Sequence, residues 1–169
     1  DPDPLVPFWI QKETPAIAWD ALNIKGFLRL PSTNSAALTW AMQGVSAGSL
    51  VLAEEQSAGR GRKNRTWFSQ PGGGVCCSLI LRPKQLPQYW PLLTLAAAIA
   101  LVDALQELME QGIIPAHMDI DIKWPNDVLL SGRKCAGILL ETLMHDLERP
   151  CAVVGFGINV RPVNVPSSL

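Results

Sequence analysis

A short basic loop is the part of the sequence best suited to bind an anion. Arginine and glycine alternate from Gly59 to Arg62, and Lys63 and Arg65 follow directly. Arginine presents a planar pair of donors that matches a phosphate or a carboxylate, and glycine lets backbone amides approach the same ligand. Six cations and no carboxylates lie between residues 56 and 102, which gives this window a charge of +6 in a chain of net charge −1. We interpret the run as a local anion site, with a solvated basic loop as the equally weighted alternative.

A second candidate is the segment Lys123-Trp124-Pro125-Asn126-Asp127. The lysine ends a strand that alternates apolar and polar residues, on the face opposite Ile122 and Trp124. An ammonium group placed there could point into a cleft and bind a phosphate or carboxylate oxygen. The residues after it form a rigid turn that fixes the end of the strand. A surface lysine beside an ordinary turn is the alternative when the segment is read by itself.

Other motifs favour structural roles. Gly155-Phe156-Gly157 begins like a dinucleotide-binding fingerprint, but the third glycine and the following helix are missing, so close backbone packing is the better interpretation. No Walker A motif is present. The adjacent Cys76 and Cys77 lie mid-strand without a group to activate a thiolate, which argues against a nucleophile. With four cysteines, no Cys-x-x-Cys and two distant histidines, a zinc site is not expected, and no metal-ligating residues are assigned.

The elements that must position these motifs are mostly strands. A proline-rich arm is predicted at 1–15, with helices at 16–26, 36–44 and 87–111 and a loop at 56–65. Strands are predicted at 27–30, 49–53, 75–81, 119–124, 128–130, 135–142 and 152–160. The helix at 87–111 is apolar on most faces in its first half and is predicted to be buried. Because strands outnumber helices and mostly follow one another, we expect an α+β fold with helices packed on one face of the sheet.

Length and composition bound the class of protein. The chain has 169 residues, of which 48% are apolar and 17% charged, so it is about one domain and not globally disordered. The longest apolar stretch, at 92–102, is shorter than a bilayer requires, and no signal peptide opens the sequence. We expect a soluble, cytoplasmic protein without a membrane partner.

Several segments in a fixed order resemble the catalytic domain of biotin–protein ligases. They are Ser32-Thr33-Asn34, AEEQSAGRGR at 53–62, Trp67, Lys123-Trp124-Pro125-Asn126-Asp127, KCAGILLE at 134–141 and GFGINV at 155–160. Their order and spacing match the family from about residue 28 to residue 160. A single segment would be weak evidence, whereas the series in order argues against a chance match. The resemblance implies a mixed, largely antiparallel sheet of the class II synthetase-like, biotin–lipoate ligase type.

The resemblance also implies a two-step reaction that consumes biotin and ATP, with Mg²⁺ accompanying the nucleotide. The biotin carboxylate attacks the α-phosphate, pyrophosphate leaves, and the biotinyl adenylate stays bound. A specific lysine of a biotin carboxyl carrier protein then attacks the mixed anhydride, and AMP departs. Because two anions must be brought together, a concentration of cations suits this chemistry.

The residues that match family motifs take roles at two ends of a site. At the biotin end, Ser32, Thr33 and Asn34 would contact the ureido ring, and Gln56 would hydrogen-bond biotin or its adenylate. At the phosphate end, the resemblance implies four groups of residues: Arg60, Gly61 and Arg62 as a closing loop, Lys123 on the carboxylate and α-phosphate, Trp67 over the adenine, and Asn126, Lys134 and Gly137 lining the pocket. Lys123 and Arg62 are the predicted catalytic residues.

The match has departures and limits. Asn64 stands where the family loop often has glycine, which should cost mobility but tolerates a left-handed backbone, and Cys135 replaces a usual leucine. The resemblance divides the chain into an arm and short helix at 1–27 and a catalytic domain at 28–169. It implies that the rest of the catalytic domain and a small C-terminal barrel are not included. The winged-helix DNA-binding domain of bifunctional members has no room before residue 28, so no nucleic-acid partner is expected.

Three alternatives remain open at this point. A lipoate or octanoyl ligase or transferase shares the fold, although the Arg-Gly-Arg loop and Lys-Trp-Pro-Asn-Asp favour biotin. A non-catalytic nucleotide- or anion-binding module could keep the loop without turnover. An RNA-binding domain would need exposed aromatic residues among the cations, and Trp67 and Phe68 alone qualify. The oligomeric state is undetermined, with a homodimer among the options.

Overall fold

The computed structural model describes residues 23–144 and 150–161, which form seven strands, two α-helices and two short 3₁₀ turns. The 3₁₀ turns are Arg62–Asn64 and Pro87–Tyr89. In chain order the strands and helices are β1 (Ile24–Leu30), α1 (Thr33–Met42), β2 (Leu50–Gln56), β3 (Gly74–Leu81), α2 (Leu92–Glu110), β4 (Ile120–Lys123), β5 (Asp127–Leu130), β6 (Arg133–Leu143) and β7 (Cys151–Asn159).

All seven strands belong to one mixed sheet in the order β1-β2-β3-β7-β6-β5-β4. β1 and β2 are parallel, since α1 carries the chain back between them, and every other neighbouring pair is antiparallel. β7 lies between β3 and β6, and its first five residues, Cys151 to Gly155, are all buried. The last strand of the described residues is therefore the centre of the sheet.

The alternation of side chains along β7 separates two cores on opposite faces of the sheet. Val153 packs with Ala37 and Ala41 of α1. Its neighbour Val154 packs with Ala98 and Leu105 of α2. The predicted mixed, largely antiparallel sheet is confirmed. The two helices, however, lie on opposite faces rather than together on one. Val153 and Val154 are consecutive strand residues and point to opposite sides, and each contacts a different helix.

Each predicted strand is present, but the start of the sheet differs from the sequence-based expectation. Residues 24–26 belong to β1 rather than to a helix at 16–26, and residues 1–22 lie outside the described part of the chain. The predicted boundary after residue 27 therefore falls inside β1. Ile24 and Lys25 alternate as in a strand, and they pair with Leu50 and Val51 of β2. The helix prediction for 16–26 rested on a short segment, which did not reveal this long-range pairing.

The helix predicted at 87–111 consists of a 3₁₀ turn followed by α2. Only one stripe of α2 packs on the sheet, so its predicted burial on most faces is wrong: Leu92 is 62% exposed and Ile99 48% exposed. By length and mean hydropathy, 19 residues and 1.7, α2 is the one described helix that could cross a bilayer. Its inner stripe, which includes the buried Ala98 and Leu105, packs on the sheet.

Candidate active site

One cavity of about 390 Å³ lies on the α1 face of the sheet, over β6 and β7. The start of α1, the basic loop after β2 and the turn between β4 and β5 surround it. All the predicted site residues line this cavity: Ser32, Thr33, Asn34, Gln56, Arg60, Gly61, Arg62, Trp67, Lys123, Asn126, Lys134 and Gly137. Segments that are up to about a hundred residues apart in sequence therefore meet in one place.

Glycines of two adjacent strands form the floor of the cavity. A Cβ atom on Gly137 or Gly157 would collide with the indole of Trp67, and one on Gly155 would collide with the amide of Asn34. Gly137 pairs with Gly157 across β6 and β7. The expected packing role of the glycines in 155–157 is confirmed, since only a residue without a side chain lets Trp67 lie this close to the sheet.

The neutral end of the cavity is built at the start of α1. The Ser32 side chain caps the helix by accepting from Ser35 N at 3.4 Å. This places Thr33 and Asn34 in the first turn, where both are buried. Gln56, at the end of β2, accepts from the Thr33 backbone N at 2.7 Å. The buried Ser78 hydroxyl donates to Asn34 Oδ1 at 2.6 Å and lies 2.8 Å from Thr33 Oγ1.

An ion pair connects the neutral end to the basic loop. Arg60 Nη2 donates to both carboxylate oxygens of Glu141, at 3.0 and 2.7 Å. Arg60 Nη1 donates to Ser35 Oγ at 2.7 Å. Sequence reasoning missed Glu141 and Ser78 as site residues. Ser78 gives a weak signal, because it is a single polar residue in an otherwise apolar strand. Glu141 ends the family-like segment 134–141, but nothing in the sequence assigned it a role.

The basic loop is a compact turn with its own backbone hydrogen bonds. Gly61 N donates to Arg65 O at 2.7 Å, and Trp67 N donates to Gly59 O at 2.9 Å. Lys63 and Asn64 take left-handed backbone angles, with φ of 54° and 59°. The expectation that Asn64 tolerates such a conformation is confirmed. Arg62 Nη1 donates to Asn126 Oδ1 at 3.2 Å, which joins the loop to the turn after β4.

Two lysines reach the cavity from different strands. Lys134 Nζ lies 2.9 Å from Asp127 Oδ1 and 5.4 Å from the centre of the Trp67 ring. This ammonium is therefore held in place by a carboxylate and an aromatic face. Lys123 is exposed at the end of β4, and within residues 23–144 and 150–161 it forms no ion pair. Of the two, Lys134 is the more firmly positioned.

The adjacent thiols of Cys76 and Cys77 do not supply a nucleophile. Burial raises the pKa of the Cys76 thiol, against smaller opposing effects of hydrogen bonds to Ser69, Gln56 and Trp67. Burial, with a further contribution from Cys76, raises the pKa of the Cys77 thiol to about 12. Both thiols are neutral at physiological pH, as the sequence led us to expect.

Acidic residues are sparse around the cavity. Glu54 is exposed and Glu55 pairs with Arg29 at 3.5 Å, and neither lines the cavity. Among the described residues, no cluster of histidine, cysteine, aspartate or glutamate could hold a metal ion.

Comparison with known proteins identifies the family. The sequence model of the biotin/lipoate A/B protein ligase family matches residues 26–159, which is most of the chain. The chain belongs to this family. Within the biotin/lipoate A/B protein ligases, the matched range runs from the third residue of β1 to the last residue of β7. It therefore includes β2 to β7, most of β1 and the whole lining of the cavity.

Curated members of the family share substantial identity with this chain. It is 43% identical over 142 residues to the bifunctional ligase/repressor BirA of Bacillus subtilis, covering 83% of this chain and 42% of that protein. It is 44% identical over 134 residues to the biotin–[acetyl-CoA-carboxylase] ligase of Paracoccus denitrificans, covering 78% and 52%. The chain thus spans about half the length, or less, of these relatives.

Solved structures of family members have the same fold. The biotin protein ligase of Aquifex aeolicus in complex with biotin and ATP superposes with a TM-score of 0.64 at 34% identity, covering 86% of this chain and 55% of that one. The Leishmania major enzyme in complex with biotinyl-5-AMP gives a TM-score of 0.66 at 27% identity, covering 85% and 59%.

Proposed function

We propose that this chain carries the catalytic domain of a biotin–protein ligase, which activates biotin as biotinyl-AMP and transfers it to a lysine of a carrier protein. The observation that carries the proposal is the cavity, which joins a neutral hydrogen-bonding end to a cationic end across Trp67 and a glycine floor. Relatives named as biotin–[acetyl-CoA-carboxylase] ligases, at 40% and 44% identity, support biotin over lipoate.

The neutral end suits the ureido ring of biotin. Thr33, Asn34 and Gln56 are uncharged. Thr33 donates to Gln56, Ser78 contacts both Thr33 and Asn34, and Ser32 caps the helix beside them. Because these side chains are already held by hydrogen bonds, they lose little conformational entropy when a small polar ring binds. The glycine floor lets Trp67 lie against the sheet, and we assign Trp67 to covering the adenine.

The cationic end suits the reacting anions. Arg62, Lys123 and Lys134 surround the position where the biotin carboxylate and the α-phosphate would meet. A carboxylate oxygen attacks the α-phosphorus, the bond to the bridging oxygen breaks, and pyrophosphate carries away the electron pair. Preplaced positive charge stabilises the charge that accumulates in this transition state. Asn126 holds Arg62 in position, and Asp127 does the same for Lys134.

The acceptor step requires a lysine amine of a biotin carboxyl carrier protein. The amine attacks the carbonyl carbon of the mixed anhydride, AMP leaves, and the amine loses a proton as the amide forms. Mg²⁺ would enter with ATP, bound chiefly by the phosphates. We assign the protein to the cytoplasm, place its catalytic domain from β1 onward, and keep a homodimer as one assembly state that light scattering would test.

Adenylate formation is the direct test. The chain is incubated with ATP, Mg²⁺ and either biotin or lipoate, and exchange of labelled pyrophosphate into ATP is measured. We expect exchange with biotin only. Exchange with lipoate only would contradict the proposal and indicate a lipoate–protein ligase. Tight binding of biotin or ATP without exchange would indicate a non-catalytic binding module.

A further inference from the structure

We propose that Glu141 is a positioning residue that sets the biotin pocket and the basic loop at the same time. It fixes the amide of Asn34 so that an acceptor faces the ligand, and it holds Arg60 so that the loop starts from a defined place. The ligand named here rests on the proposed function, whereas the effect on the loop does not.

Glu141 lies near the end of β6, opposite Val153 of β7 and on the same face of the sheet as α1. Its Oε2 accepts from Asn34 Nδ2 at 2.8 Å and from Arg60 Nη2 at 2.7 Å, and its Oε1 accepts from Arg60 Nη2 at 3.0 Å. It is the one carboxylate in the described residues that contacts both the start of α1 and the basic loop. Hydrogen bonds to an ionised group are stronger than neutral ones.

The contact with Glu141 determines which way the Asn34 amide points. A carboxylate can only accept, so the nitrogen of the amide must face Glu141. That nitrogen also donates to Leu139 O at 3.3 Å, which uses both of its hydrogens. The Ser78 hydroxyl occupies one acceptor site of Oδ1, so Asn34 can offer the cavity one acceptor and no donor. This selects a ligand with an N–H group, which the ureido ring of biotin has and the dithiolane ring of lipoate lacks.

The contact with Glu141 gives Arg60 a different role from the other cations of the basic loop. Glu141 neutralises Arg60, and Ser35 accepts from its second nitrogen at 2.7 Å. Arg60 therefore serves as the anchor of the loop. The charge that meets the phosphate must come from other cations of the cavity. Arg62 contacts only the neutral Asn126 in the described residues, Lys123 forms no ion pair there, and Lys134 is paired with Asp127.

The test is Glu141→Gln, which keeps the shape and turns one acceptor into a donor. Because Arg60 contacts both carboxylate oxygens, the new amide nitrogen faces Arg60 in either orientation, and any bond that Asn34 keeps loses its charged acceptor. We expect biotin affinity, measured by calorimetry, to fall about tenfold or more, while the KM for ATP changes less than threefold. Amide exchange across residues 58–67, measured without ligand, becomes faster. The matched control is Glu55→Gln, on β2 and outside the cavity, which leaves all three quantities unchanged.

Two further variants separate the halves of the proposal and serve if Glu141→Gln does not fold. Ser78→Ala removes the hydroxyl that donates to Asn34 Oδ1 and leaves Arg60 untouched, so biotin affinity falls and loop exchange stays the same. Ser35→Ala removes one Arg60 contact, so loop exchange rises and biotin affinity stays the same. Wild-type affinity and exchange in Glu141→Gln, or the opposite pattern in the two serine variants, overturns the proposal. If the unmodified chain binds no biotin, the proposed function is wrong. The amide-exchange measurements still test whether Glu141 holds the basic loop.

Discussion

Lys123 and Lys134 both line the cavity, but they are held differently. Lys134 is paired with Asp127 and lies over Trp67, whereas Lys123 extends from the exposed end of β4. We predict that Lys134→Ala and Lys123→Ala each lower the rate of adenylate formation, by about a hundredfold for a preplaced charge. The fall should be larger for Lys134, because its charge needs less reorganisation. Pyrophosphate exchange under saturating biotin measures this, with Lys84→Ala, a cation outside the cavity, as the control. An unchanged rate in either variant removes that lysine from the mechanism.

Arg62 is expected to retain the intermediate rather than the substrate. Its contact with Asn126 places it beside the turn that also carries Asp127, at the cationic end of the cavity. Because the adenylate carries a phosphate and biotin does not, Arg62→Gly should weaken adenylate binding more than biotin binding. The variant should release biotinyl-AMP and label lysines of unrelated proteins. Mass spectrometry of a mixture of carrier protein and serum albumin measures this, with Lys84→Gly as the control. Strict labelling of the carrier alone by Arg62→Gly contradicts the assigned role.

At the scale of elements, the basic loop has the balance of forces expected of a ligand-responsive segment. Four cations lie within six residues, and their repulsion opposes compaction. Short backbone hydrogen bonds and the Arg60 anchor oppose that repulsion. We predict that amides from Ala58 to Trp67 exchange more slowly, by about tenfold or more, when biotin or biotinyl-AMP is bound, because the bound anion removes the repulsion. Strong protection that is the same with and without ligand indicates a preformed loop.

The elements also show what a sequence can and cannot predict. Strands were predictable because Ile120 and Ile122, for example, alternate with polar residues, and the cavity was predictable because its residues sit in family motifs. The positions of the helices were not, since the face on which α2 packs depends on the pairing of β7 with β6, which no local pattern contains. Ser78 and Glu141 were missed for a related reason. Each belongs to the site through a hydrogen bond with Asn34, which lies 44 residues from Ser78 and 107 residues from Glu141.

At the scale of the whole molecule, we predict that the Cys77 thiol gives the stability an alkaline limit. The pKa of Cys77 is raised from its ordinary value of 9.0 to about 12 in the folded protein. Below about pH 8.5 the thiol is neutral in both states and its burial contributes fully. Between about 9 and 12 the unfolded chain loses this proton and the folded chain keeps it, so stability falls as pH rises, by about 1.4 kcal/mol per pH unit.

Denaturant titrations from pH 8 to pH 11 measure this effect. We expect Cys77→Ala to show a shallower decline of the unfolding free energy than the unmodified protein over that range. Lysine and tyrosine titrate in the same range in both proteins, so the difference between the two slopes isolates the thiol. Equal slopes would show that Cys77 ionises as readily in the folded state as in the unfolded chain.

The central position of β7 has a consequence for synthesis on the ribosome. β1 to β3 and β4 to β6 form two groups of strands that contact each other in the sheet only through residues 151–159. Until that segment leaves the exit tunnel, each group exposes the strand edge that β7 will later cover. Such edges invite pairing with other chains. A nascent chain stalled before residue 151 should therefore recruit chaperones strongly, and release of β7 should end that dependence in a single step.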